Sequence, residues 1–184
     1  MNVVNKRSAA AQQTRANLIE TGLALAEELG LEGLSVNAVV AGAGVSKGTF
    51  FHHFPDRVSY LVALHRRFHD VLFAEMMSII DDMPPGGKRL AAAADAYLDG
   101  CLRDRGVKAL LLEARGHLPI AEEVTRRNRM SVDVVAADFE ALGAEHPRQS
   151  ARLWIAATAE CALMELELGH RDSAARDALN ALVR

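Results

Sequence analysis

Between Gly44 and Arg57 the chain reads GVSKGTFFHHFPDR, which places a serine, a lysine, a threonine, paired phenylalanines, paired histidines and a closing arginine within one short stretch. Residues of these types could form a metal clip, a reactive surface loop, or a surface that reads another molecule. A metal site would draw on His52 and His53, with His65 and His69 four apart further on. His52 and His53 are adjacent, however, so on a helix they point about 100° apart, and four ligands would have to converge from separate helices. Catalysis needs a nucleophile beside an oriented base, or two carboxylates across a cleft. Cys101 with His117, or Glu113 with Glu160, supply the residue types but no motif that fixes them in space. Neither an enzyme nor a resident metal or cofactor is expected.

Reading duplex DNA makes different demands. The major groove admits one helix, which needs small or hydrogen-bonding side chains on its leading edge and an apolar flank packed on its own domain. SKGTFFHH supplies both. Gly48 removes a side chain where the helix must come close, Thr49 offers a hydroxyl and a methyl, and Lys47 can meet a phosphate. Phe50 and Phe54 are four apart and share a face with Val45, so they are expected in the core. Phe51, His52 and His53 lie elsewhere around the helix. Arg57 opens the next helix, where its fork and that helix's first amides make a phosphate site.

The elements that must position these residues follow from periodicity and breakers. Leu18, Leu25, Ala26 and Leu29 recur at helical spacing over residues 13–29, and Gly30 closes that helix. Ser35 caps a short second helix over 36–41, ended by Gly42 and Gly44. Ser46 then starts a third through His53, with Phe54 and Pro55 ending it. Two short helices joined by a glycine turn are a helix-turn-helix. A fourth helix carries Val58, Leu61, Leu64, Phe68, Leu72 and Met76 and stops at DDMPPGGK, 81–88. Helices follow over about 88–104, 107–116, 119–143, 148–168 and 171–183, and no segment alternates like a strand.

Composition sets the limits. Half of the 184 residues are hydrophobic, which excludes a disordered chain. The net charge of −3 denies it a global positive field. Residues 1–57 balance five cations against five acids, so the acidic excess lies downstream. No apolar run approaches the roughly 20 residues of a membrane span, and the N-terminus lacks a signal peptide's apolar core. A cytoplasmic protein with no membrane partner and reduced cysteines is expected.

The order EGLSVNAVVAGAGVSKGTFFHHFPDRVSYLVAL resembles the TetR family of bacterial transcriptional regulators over about the first 60 residues. The resemblance implies an all-α fold: a three-helix helix-turn-helix head over 1–57, and an effector-binding and dimerisation body over 58–184 in which 58–80 is the connecting helix. It implies a homodimer bound to a palindromic double-stranded operator, acting as a repressor and released by a small effector. Val45, Ser46, Lys47, Thr49 and His53 would face the bases, with Phe51, His52 and Arg57 along the phosphates and Gly48 among the DNA-binding residues. Phe51 stands where the family usually has a tyrosine, and Arg57 where it usually has lysine.

In the body, the stripe Leu153, Ala157, Cys161 and Met164, followed by Ala175, Leu179 and Leu182, is expected to pair with its symmetry mate as a four-helix bundle. Tyr97, Cys101, His117 and Trp154 are the expected lining of an effector site, and the apolar composition favours an aromatic or lipophilic ligand. Two rivals remain: a metal-responsive regulator, and a non-catalytic helical interaction module.

Overall fold

The computed structural model describes residues 3–184, and every regular element among them is helical. The helices are α1 (Val3–Gly33), α2 (Val36–Ala43), α3 (Lys47–His53), α4 (Arg57–Ile80), α5 (Gly87–Arg103), α6 (Arg105–Glu113), α7 (Leu118–Ala141), α8 (Pro147–Leu168) and α9 (Ser173–Ala181), with a 3-10 turn at Ala114–Gly116. The all-α class is as the sequence implies, and most helix ends lie within about two residues of their expected positions. The exception is the start of α1, ten residues earlier than the apolar periodicity suggests. The added turns include SAAAQ, exposed residues in which alanine and glutamine favour helix without any apolar stripe. Gly30 takes φ 63°, which ends the regular helix at the expected glycine before one further turn.

The contacts divide the chain into two compact units. The first comprises 1–68 and 106–121, the second 69–105 and 122–184. The division falls inside α4, and α6 from Gly106 onward groups with the first unit. Helix α4 continues the first unit's core well past its first turn, and no composition break marks Phe68.

In the first unit, Leu18, Leu34, Phe50, Phe54, Leu61 and Leu64 are almost wholly buried. Polar clasps hold α1 against its neighbours. The Asn17 side-chain amide donates to the Ala43 carbonyl at 3.1 Å, at the end of α2. The Tyr60 hydroxyl donates to the Leu18 carbonyl at 2.6 Å. That approach requires Gly22, since a Cβ there would lie 1.9 Å from the Tyr60 oxygen. Burial raises the Tyr60 pKa, which keeps the phenol a donor. Glu27 accepts from the amides of Gly106 at 3.0 Å and Val107 at 3.2 Å, capping α6 from α1.

In the second unit, Leu72, Ile80, Leu90, Leu98, Phe139 and Trp154 form the core. Asp138, fully buried, pairs with Arg89 and accepts from the Gly86 amide at 2.9 Å, tying the 81–87 connector to α7. Helix α9 is fixed by Arg176, 2% exposed, which donates to both Glu165 oxygens at 2.6 and 2.9 Å and reaches Asp95 and Asp99 on α5. Burial opposes its charge, yet its hydrogen bonds to Glu165, Asp95 and Asp99 outweigh burial and raise its pKa.

Candidate nucleic-acid interface

The turn between α2 and α3 sets the angle of the exposed helix. Gly44 adopts φ 66° and donates back to the last carbonyls of α2. Two residues on, Ser46 caps α3 by accepting from the Thr49 amide at 3.1 Å. Below the helix, Phe50 is fully buried and Phe54 nearly so, their rings 5.5 Å apart and each about 5 Å from Tyr60. These aromatic contacts fix the rotation of α3 about its axis. Val45, which the resemblance places toward the bases, is half-buried at the turn.

The opposite face holds the residues suited to a groove. Ser46, Lys47, Gly48, Phe51 and His52 are exposed, with Thr49 and His53 half-buried beside them. Thr49 Oγ1 and Ser46 Oγ are 2.9 Å apart, so the two hydroxyls orient each other. A Cβ on Gly48 would meet only Ser46 Oγ, at 3.6 Å. Internal packing therefore gives no reason for glycine here, while close approach by an outside surface does. Phe51 is half exposed and meets Phe50 edge-on at 5.4 Å.

Arg15 was not anticipated from the sequence. Its guanidinium lies 4.9 Å over the Phe54 ring and acts electrostatically on His53, adding a cation beside α3. It sits some 30 residues before the motif, and a lone arginine on a polar helix face carries no periodic signal. Burial first, then the charges of His52 and Arg15, holds the His53 pKa below the ordinary histidine range. Arg57 is less free than expected, because its Nε donates to the Leu34 carbonyl at 3.3 Å. The first turn of α4 is also partly occupied, as the Asp56 carboxylate accepts from the Ser59 amide at 2.7 Å.

A rigid two-helix turn with its aromatic flank buried and its polar edge outward is the frame of a groove-reading helix, and residues 18–64 match the family profile described as bacterial regulatory proteins, tetR family. The likeness to the TetR family lies in this segment. The chain is 36% identical over 67 residues to the HTH-type transcriptional repressor KstR2 of Mycobacterium tuberculosis, over 36% of this chain and 34% of that protein. The matched segment thus spans about a third of that relative's length. It is 27% identical over 131 residues to the HTH-type transcriptional regulator CymR of Pseudomonas putida, over 67% of this chain and 63% of that one. A transcriptional regulator from Rhodococcus sp. Rha1 superposes with a TM-score of 0.73 at 24% identity, over 94% of this chain and 92% of its own. RolR, solved in complex with resorcinol, gives 0.69 at 20%, over 96% and 90%. These two likenesses establish a shared fold.

The remaining expected residues are distributed unevenly. Cys101 and Trp154 are buried in the second unit, and Tyr97 is half-buried there, stacked on His69 at 6.4 Å. His117 does not join them: it is exposed and belongs to the first unit. Among the expected interface residues, Leu153, Met164 and Leu182 are exposed, and Ala157 and Ala175 are half-buried. Cys161 and Leu179, each 4% exposed, face their own core and cannot reach a partner. Each helix also carries a separate outward stripe. The outward face of α8 runs through Leu153, Ala156, Met164 and Leu168, and that of α9 through Ala174, Ala178 and Leu182. Among the described residues no three of His, Cys, Asp and Glu gather at metal-binding spacing. No described helix is long and apolar enough to cross a membrane.

Proposed function

We propose that this chain is a ligand-responsive transcriptional regulator, a repressor, that binds a palindromic operator through the two heads of a homodimer. The observation that carries the reading is Gly48, exposed and without internal contacts on a helix whose other face is locked by Phe50 and Phe54. Thr49 reads a base edge, and Lys47 meets phosphate, so they differ in how far operator sequence matters. One head covers little DNA, and two heads about 34 Å apart on successive major grooves supply the missing affinity. The outward apolar faces of α8 and α9 are the surface through which the copies pair.

The effector enters the second unit beside Trp154. Its indole Nε1 is buried without a hydrogen-bond partner among the described residues, which costs about 1–3 kcal/mol. A ligand acceptor would answer that donor, while Phe139, 6.4 Å from the indole ring, gives the apolar wall an aromatic or lipophilic compound needs. RolR, of the same fold, holds the small phenol resorcinol, which supports a ligand of this size. Bound effector then favours a dimer that no longer matches its operator, with a coupling of about 1–3 kcal/mol.

Gly48→Ala tests the DNA reading. The helix is expected to keep or gain stability, by up to about 1 kcal/mol, while affinity for the selected operator falls at least about tenfold (~1.4 kcal/mol). Equal operator binding by G48A, with melting unchanged, would sink the groove-reading assignment of α3.

A further inference from the structure

A cleft between α7 and the start of α8 takes no part in the function proposed above. It encloses about 340 Å³, and its lining includes Asn128, Arg129 and Val132 from α7 and Arg148, Gln149 and Arg152 from α8. The charge here is unbalanced. Arg148 pairs with Asp133 at 2.6 Å. Arg129 and Arg152 have no acidic side chain within salt-bridge distance among the described residues. Two unanswered guanidinium forks therefore border one small cavity in a chain whose net charge is negative.

The remaining lining suits the same kind of guest. Asn128 and Gln149 add amide donors, and Val132, nearly buried, supplies an apolar patch. A guanidinium binds carboxylate or phosphate through two parallel hydrogen bonds, so two forks are best satisfied by two oxyanion groups or by one phosphate shared between them. The volume lies at the small end of ligand pockets, which admits a compact skeleton and excludes a large one.

We propose that the α7–α8 cleft is a binding site for a small organic anion: a di- or tricarboxylate, or a phosphate ester, held by Arg129 and Arg152 with its carbon skeleton on Val132. The shared chemistry is a compact oxyanion, and the two sources separate by titration. Calorimetry on the full chain at low salt, with citrate, glycerol 3-phosphate and inorganic phosphate as probes, is the test. One of the two organic anions is expected to bind saturably, one per chain, and more tightly than inorganic phosphate. Preference for citrate assigns the carboxylate class and preference for glycerol 3-phosphate the ester. Arg129→Gln with Arg152→Gln should weaken that binding at least tenfold while leaving the unliganded melting temperature unchanged, since both side chains are exposed. Asp133→Asn releases Arg148 and should tighten binding severalfold, a gain that loss of folding cannot imitate. Absence of saturable binding overturns the proposal. So do binding that survives the double substitution, inorganic phosphate bound as tightly as either organic probe, and a response to heparin alone, which would mark a general polyanion surface.

Discussion

At Phe51 the head presents a half-exposed ring with no polar atom to offer. Phe51→Tyr places a hydroxyl on the outward edge, and one added hydrogen bond of about 0.5–1.5 kcal/mol should tighten operator binding roughly 2- to 12-fold. Fluorescence anisotropy on the two proteins measures it, and melting should not change. His53 makes a second test, because its pKa is lowered in the folded head. The unfolded chain takes up the proton more readily, so this residue lowers stability as pH falls through about 6.5 and adds nothing against folding above it. Titration followed by NMR should place the His53 midpoint below that value, and Arg15→Ala should move it upward by removing a nearby cation. A midpoint that ignores Arg15 would remove that arginine from the edge of α3. The motif residues were legible because spacing alone puts Phe50 and Phe54 on one face. Arg15 and the diversion of Arg57 to the Leu34 carbonyl were not, because both depend on which chain segments meet in space.

Among the elements, α9 is short and held chiefly by one ion cluster. Removing one partner of a buried pair strands the other charge, so Arg176→Met should destabilise the second unit by about 3–5 kcal/mol. Arg176→Met combined with Glu165→Met should recover much of that loss, since two thioethers pack where two charges were desolvated. Urea unfolding of the three proteins decides it. A double variant no better than the single would show that Asp95 and Asp99 carry the cluster without Glu165. Helix positions were readable from apolar period and from breakers such as Pro84 and Pro85, while the stop expected near His170 falls one residue earlier, at Gly169, which closes α8 at φ 79°. The outward faces of α8 and α9 were not. A bundle helix with two apolar stripes gives one to its own core, and the stripe through Cys161 and Leu179 is the inner one.

For the whole molecule, that distinction separates assembly from folding. Leu153, 72% exposed, and Leu179, 4% exposed, should respond oppositely to arginine. Leu153→Arg is expected to yield a folded monomer by sedimentation and to weaken operator binding. Leu179→Arg should abolish cooperative melting, because it buries an unpaired charge. If Leu153→Arg remained dimeric at micromolar concentration, the copies would pair through another face. The interleaving of the two units also bears on synthesis. Residues 106–121 bring Val107, Leu110, Leu111, Ala114 and Ile120, all buried, to the first unit. Yet residues 69–105 of the second leave the ribosome before them. At about 5–20 residues per second, those 37 residues take roughly two to seven seconds. For that interval the nascent first unit lacks α6, and Glu27 has no amides to cap. The first unit is therefore completed only at residue 121, after 37 residues of the second have already been made.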